Sequence, residues 1–386
     1  MDACLVYSPA LAAYDLGEGH PLRPQRFTLA VALMEAYGML APPQRRGPGT
    51  LDVMEPRPAN DGELALAHDR DYIGTVREAS AHPKRFFPPR AGLGTPDTPV
   101  FPGMHEASAL VAGATVTAMR AVLSQRCGAA FSIAGGLHHA HRDRAAGFCV
   151  YNDCVVAIAG ALKADPDLRV LYLDIDAHHG DGVQEAFYED PRVLTVSLHE
   201  TGERLYPGTG SADERGTGAG AGYAANVPLP EGATDACFAL AFEHVAEPLA
   251  RRFAPDVVVA QCGADAHHDD PLTSMGLTVG GHDELVGRIV GLAGEVAGGR
   301  LVACGGGGYG WQHVVPRCWA SAAARLAGRS LDERLPESWR ELVRTTTGSE
   351  PPVGLHEDDF AAPADEARLL EETARTCEEV LRWTRT

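Results

Sequence analysis

The run LDIDAHHGDG (173–182) places Asp174, Asp176, His178 and Asp181 at the end of an apolar stretch that reads as a buried strand. Carboxylates in such surroundings are costly unless they are paired or bind a cation. Asp176 and His178 are two apart, so on an extended backbone both side chains point the same way and can reach one ion. QCGADAHHDD (261–270) offers a third ligand, Asp265, just past another apolar run. Taken singly, each acid fits a solvated turn or a helix cap equally well. Together, one imidazole and two carboxylates suit zinc with an open position for water, and suit Fe(II) or another borderline divalent ion equally.

Two further segments supply the groups such a centre needs. GGLHHA (135–140) carries the adjacent His138 and His139, which can act as general base and general acid because imidazole titrates near neutrality. Each needs a carboxylate to orient it, and Asp174 and Asp181 are the unassigned acids nearby. GGGGYGW (305–311) sets Tyr309 on a glycine hinge, where a phenol suits a donor to a developing oxyanion. It lacks both the Walker pattern and the dinucleotide fingerprint, so the four glycines do not point to a nucleotide.

These segments must be brought to one place, and the apolar pattern shows how. Short runs rich in Val, Ile, Leu and Tyr recur at 3–8, 129–136, 169–176, 192–198, 256–263 and 300–308, with room for a helix between them. Runs apolar on both faces predict a parallel sheet covered by helices, and its carboxyl edge is where ligands bind. Residues 109–126 and 154–165 read as packing helices. Two irregular stretches, 82–103 and 201–222, are long enough to form walls of a site. Residues 345–363 read as a linker and 364–384 as a closing amphipathic helix. Convergence of the motifs on one sheet edge predicts one domain over residues 1–386.

The net charge of −19 and pI near 5.2 argue against a nucleic-acid coat or an anionic membrane as partner. Nine scattered cysteines without a C-x-x-C pair read as reduced thiols. With no basic amino-terminal segment and no run of 18 apolar residues, the expected location is cytoplasmic, without a membrane span.

Taken in order, GGLHHAHRDRAAGFCVYND, VLYLDIDAHHGDGVQEAFYEDPRVLTVSLH, LYPGTG, QCGADA and GGGGYGWQHVVPRCW resemble the histone deacetylase superfamily. The likeness covers roughly residues 15 to 320 and is nearest the class I-like bacterial branch that includes the acetoin utilisation deacetylases. It implies the arginase-deacetylase fold, a three-layer α/β/α unit around a mainly parallel sheet of about eight strands. It also implies zinc-dependent removal of acetyl or longer acyl groups from the ε-nitrogen of lysine in cytosolic proteins, an acyl-CoA synthetase among them. An acetylpolyamine amidohydrolase is the alternative. The oligomeric state is left open.

On that resemblance Asp176, His178 and Asp265 are metal ligands, His138 and His139 the catalytic pair, Asp174 and Asp181 their acids, and Tyr309 the residue that polarises the carbonyl. Gly147 and Phe148 form one tunnel wall, with Tyr206 opposite where many relatives carry Phe. Asp97 is the rim acid that grips the substrate backbone, and Arg26 belongs to an internal product channel. Leu272 stands where polyamine-selective relatives carry a glutamate, which favours acyl-lysine. Two structural potassium sites are implied, one around Asp174, Asp176, His178, Ser197 and Leu198, the other around Phe187, Asp190, Val193 and Tyr223.

Overall fold

The computed structural model describes residues 2–40, 49–85, 89–357 and 360–383. Residues 86–88 of the first irregular stretch, 358–359 of the expected linker and 384 of the closing helix lie outside the described residues.

Eight strands, β1 (Ala3–Val6), β2 (Leu51–Met54), β3 (Ala129–Ser132), β4 (Val170–Asp174), β5 (Val193–Glu200), β6 (Ala224–Leu229), β7 (Val257–Gln261) and β8 (Leu301–Cys304), form one sheet. Its order is β2-β1-β3-β8-β7-β4-β5-β6 and every pairing is parallel. The six apolar runs are its six inner strands. The two edge strands, β2 and β6, carry weaker patterns: Val53 is 42% exposed, and Pro228 interrupts β6. An edge strand needs neighbours on one side only and therefore tolerates both.

The helices are α1 (Gln25–Ala36), α2 (Asp61–Ala67), α3 (Arg70–Ala81), α4 (Met104–Leu123), α5 (Asp153–Ala164), α6 (Asp181–Phe187), α7 (Asp235–Ala241), α8 (Glu247–Phe253), α9 (Val279–Val296), α10 (Val314–Leu326), α11 (Glu337–Thr347) and α12 (Glu366–Trp383). They pack as two sets. In one, α2, α3 and α6 gather about α4 and α5; in the other, α1 and α9 flank α10 and α11 packs on α1, while α12 packs on α7 and β6. With both faces covered, every residue of β4, β5 and β7 is buried. Among the described residues, α4 is the one helix long and apolar enough to cross a membrane, and it is a core helix, 72% buried within the fold. All nine cysteines are buried, and none forms a disulfide among the described residues.

The chain reverses its direction across the sheet at the centre. Strands β4, β5 and β6 step outward to one edge, and β7 and β8 then return to fill the space between β4 and β3. Ser132, Cys304, Gln261 and Asp174 lie in register there, ending β3, β8, β7 and β4 at one level. Such a reversal opens a crevice at the carboxyl edge, and GGLHHA, LDIDAHHGDG, QCGADAHHDD and GGGGYGW all lie at the carboxyl ends of the strands that meet there.

The expected linker is more structured than its composition suggests. α11 reaches into it, and beyond α11 Val353 O accepts from the Leu335 amide at 2.9 Å, the Leu355 amide donates to Glu333 O at 2.6 Å, and the Glu357 carboxylate accepts from the Val279 amide at 2.9 Å.

Candidate active site

β4 ends at Asp174, two residues earlier than its apolar run suggests, so Asp176 and His178 do not share an extended backbone. A turn brings them together instead: Asp174 Oδ1 accepts from the Asp176 amide and Asp176 Oδ1 from the His178 amide, both at 3.0 Å. His178 Nδ1 lies 3.2 Å from Asp176 Oδ1 and 2.9 Å from Asp265 Oδ2. The ligand atoms of the three residues lie within 4.8 Å of one another, and all three are buried.

The chemistry of this set fits a divalent cation. Burial and the neighbouring Asp176 charge push the Asp265 carboxyl up to about 7. Asp176 is also opposed by burial, but His138 and His178 hold it well below the usual carboxylate range. Two carboxylates crowded so closely in a dry site call for positive charge between them. Their outward oxygens are held: Asp176 Oδ2 accepts from Gln261 Nε2 at 2.6 Å and the Gly307 amide at 2.7 Å, and Asp265 Oδ1 accepts from the Ala177 amide at 2.8 Å. A Cβ on Gly307 would fall 2.1 Å from Asp265 Oδ2, so only glycine lets this backbone approach. Two other groups have comparable spacing, Asp153–Cys154–Cys304 and His267–His268–Glu357. Asp153 is already saturated by donors, and Arg317 is paired to Glu357 at 3.0 Å.

His138 and His139 lie beside this set, each donating Nδ1–H to its expected acid, Asp174 Oδ2 at 2.8 Å and Asp181 Oδ1 at 2.7 Å. Asp174 also accepts from the Tyr172 hydroxyl at 2.7 Å, and Asp181 from His141 Nε2 at 3.2 Å. The loop that carries the pair is fastened from α5. Asn152 donates to the carbonyls of His138 and Ala140 at 2.9 and 3.1 Å, and Asp153 accepts from the amides of Gly136 and Leu137 at 2.9 and 2.7 Å. Asn152, Asp153 and Gln261 were not assigned roles from the sequence. Their signal is polar side chains that interrupt or terminate apolar runs, in VYNDCVV and VVVAQ.

Tyr309 is buried, and burial raises its hydroxyl well above the ordinary phenol range, so it remains a proton donor. Its ring lies 6.4 Å from that of His178 and 5.6 Å from Phe148, edge-on to both. Tyr206 packs edge-on against His139 at 5.1 Å. Phe148 and Tyr206 therefore flank the approach, with Gly147 between: its φ is +49°, and a Cβ there would fall 2.4 Å from His139 Cδ2 and 2.9 Å from Tyr206 Cε1. Tyr14 fixes this wall, donating its hydroxyl to Phe148 O at 2.6 Å and accepting from the Val150 amide at 3.1 Å.

Asp97 is exposed on its loop. His20, whose ring packs on Phe148 at 4.5 Å, donates Nε2–H to the Asp97 carbonyl at 3.2 Å. Leu272 is 37% exposed. Arg26 is buried behind the centre, donating to Gly306 O at 2.6 Å, with its guanidinium over Trp319 and its Nε without a partner. Of the residues expected around potassium, Asp174 and Ser197 face each other in register across β4 and β5. At the second expected position the Asp190 carboxylate is gripped by Arg192 at 2.9 and 2.6 Å.

A switch-point crevice holding a carboxylate–imidazole ligand set beside a histidine–aspartate pair defines a hydrolase centre of the deacetylase class. Residues 20–326 match the histone deacetylase domain, and the chain belongs to that family of metal-dependent deacetylases. It is 42% identical over 339 residues to the acetoin utilization protein AcuC of Bacillus subtilis (strain 168), covering 88% of this chain and 85% of that protein. To histone deacetylase 9 of Arabidopsis thaliana it is 37% identical over 335 residues, covering 86% and 75%. The crystal structure of an HDAC homolog from Aquifex aeolicus superposes with a TM-score of 0.82 at 31% identity, covering 98% of this chain and all of that one, and the HDAC homolog complexed with SAHA gives the same figures.

Proposed function

We propose that this deacetylase is a single-domain cytoplasmic enzyme that hydrolyses the amide of Nε-acetyl-lysine in proteins, yielding acetate and free lysine. The observation that carries this reading is the slot between Phe148 and Tyr206, whose rings pack on Tyr309 and His139 and so lead an aliphatic stem directly to the ligand set. The exposed, uncharged Leu272, which stands where polyamine-selective relatives carry a glutamate, supports a lysine within a polypeptide over a polyamine. The acidic charge of the chain supports substrates with basic residues beside the acyl-lysine, with an acyl-CoA synthetase a candidate.

Zinc, or Fe(II), held by Asp176, His178 and Asp265 would polarise the amide carbonyl and lower the pKa of a water molecule toward 7. His139 takes the water's proton at Nε2 and returns it to the departing lysine nitrogen. Asp181 fixes its ring and stabilises the charge it acquires. His138, paired with Asp174, holds positive charge beside it. Tyr309 donates its hydroxyl to the carbonyl oxygen as negative charge develops there. Potassium held around Asp174, Asp176, His178, Ser197 and Leu198, and around Phe187, Asp190, Val193 and Tyr223, would supply structural positive charge.

The test is turnover of acetyl-, propionyl- and longer acyl-lysine peptides beside acetylputrescine and acetylspermidine, on enzyme of measured metal content. Higher kcat/KM on the acetyl-lysine peptide supports the proposal, and higher kcat/KM on the small amines overturns it in favour of a polyamine amidohydrolase.

A further inference from the structure

We infer that Asp270 is a positioning residue for Tyr309, its carboxylate bridging the glycine hinge that carries the tyrosine and the turn that carries Leu272. Asp270 Oδ2 accepts from the Tyr309 amide at 2.7 Å and Oδ1 from the Leu272 amide at 3.0 Å, and the Gly310 amide faces the same carboxylate. The residue is buried, and among the described residues it has no ion-pair partner. A buried carboxylate without a cation is expensive, and asparagine would fill the same volume more cheaply. The charge is retained where an acceptor-only group is required: both carboxylate oxygens take N–H donors from different loops, whereas an amide offers one oxygen and would leave one loop untied.

The hinge needs such a tie. Gly308, immediately before Tyr309, has φ +133°, a region open to glycine, so the backbone there restrains the tyrosine little. The other anchors lie on either side of the tyrosine: upstream, Arg26 on Gly306 O, Asp176 on the Gly307 amide, and the Ala264 amide on Gly307 O at 2.9 Å; downstream, the Val314 amide on Gly310 O at 3.0 Å. Asp270 alone holds the Tyr309 amide, and by the same carboxylate it sets the turn at Leu272. Tyr309 and the turn at Leu272 therefore move as one unit, and loss of the tie misplaces the hydroxyl without removing it.

This deepens the deacetylase reading, and its first test is independent of activity. Hydrogen exchange on wild-type protein is expected to show both the Tyr309 and Leu272 amides protected, with protection at both lost in Asp270→Asn; a freely exchanging Tyr309 amide in the wild type overturns the inference whether or not the variant folds. In turnover of acetyl-lysine peptide, Asp270→Asn is expected to lower kcat about 10- to 100-fold, the scale of a small misplacement of a catalytic group, with KM within about twofold. In a Tyr309→Phe background the same substitution is expected to change kcat by less than about twofold, because the hydroxyl it positions is gone. Equal losses in both backgrounds would show that Asp270 acts elsewhere. A wild-type enzyme inactive on every acyl-lysine peptide would refute the proposed substrate and leave the exchange result standing.

Discussion

His138 and His139 face each other through their Nε2 atoms, 3.1 Å apart, while their Nδ1 atoms are held by two different carboxylates. With both Nδ1–H groups donated outward, a hydrogen bond between the Nε2 atoms requires one proton on that contact, and the pair carries one positive charge. Burial opposes charge on both rings. At His138 the carboxylates of Asp174 and Asp176 outweigh it and push the ring up to about 9; at His139 burial and the His138 charge push it down to about 4. The proton therefore belongs to His138, and His139, packed against Tyr206, is the neutral ring whose Nε2 lone pair accepts that hydrogen bond; to act as base on water, His139 must exchange that contact for the water. Replacing His139 by Ala is expected to lower kcat by about 10² to 10⁴, and His138→Ala by distinctly less. Single-turnover rates on an acetyl-lysine peptide check this order, and a larger loss at His138 reverses the assignment.

Tyr309 contributes one hydroxyl and a ring that packs on Phe148. Tyr309→Phe removes the first and keeps the second, so KM is expected to stay within about twofold while kcat falls about 10² to 10³, the usual cost of one oxyanion donor. Steady-state kinetics at saturating peptide read the difference. Wild-type kcat in the variant would assign oxyanion stabilisation to other groups.

The chemistry was legible in the sequence wherever it is local. LDIDAHHGDG, GGLHHA and GGGGYG each carry side chains that the backbone delivers directly to the carboxyl edge, and each follows an inner strand whose apolar run is unbroken. What the sequence hid is held by tertiary contact. Asp270 and Asn152 act on backbone groups 39 and 14 residues away, and no periodicity records such a reach. The edge strands were hidden for other reasons: β2 is only half buried, and the apolar run of β6 is broken by Asn226 and Pro228. The turn at Asp176–His178 shows the limit of period-two reasoning: the two ligands do converge, but through backbone-to-carboxylate hydrogen bonds and not through strand geometry.

Gly307 is predicted to be required for metal binding and not for folding. A methyl group there would fall 2.1 Å from Asp265 Oδ2 and 2.7 Å from Asp176 Oδ2. The carboxylates must swing away, because the Gly307 amide that holds Asp176 sits on the same residue. Gly307→Ala is expected to bind zinc about 10- to 100-fold more weakly, the range seen when groups orienting metal ligands are disturbed, with its circular dichroism spectrum unchanged. Competition against a chromophoric chelator measures this, and wild-type affinity would mean that Asp176 and Asp265 are not paired on one ion.

His68 links the catalytic loop to acid stability. Its Nε2 accepts from the Asn152 amide at 3.0 Å and its Nδ1–H donates to His141 O at 2.8 Å, so only the neutral ring satisfies both contacts. Burial pushes it down to about 4 from the ordinary 6.5. Above pH 6.5 the ring is neutral whether the chain is folded or unfolded, and this contribution to stability is complete. Between pH 6.5 and about 4 the unfolded chain takes up a proton that the folded chain refuses, and stability falls by up to about 1.4 kcal/mol per pH unit for this one group. His282 and His179, each pushed down to about 4 by burial, act in the same direction. Denaturation midpoints are therefore expected to drop steeply as pH falls through this window. His68→Gln should be less stable at pH 7, because its two hydrogen bonds are disturbed, but its stability should fall less steeply from 6.5 to 4 by the slope of one proton. An unchanged slope in urea titrations across that range would mean that His68 does not resist protonation in the fold.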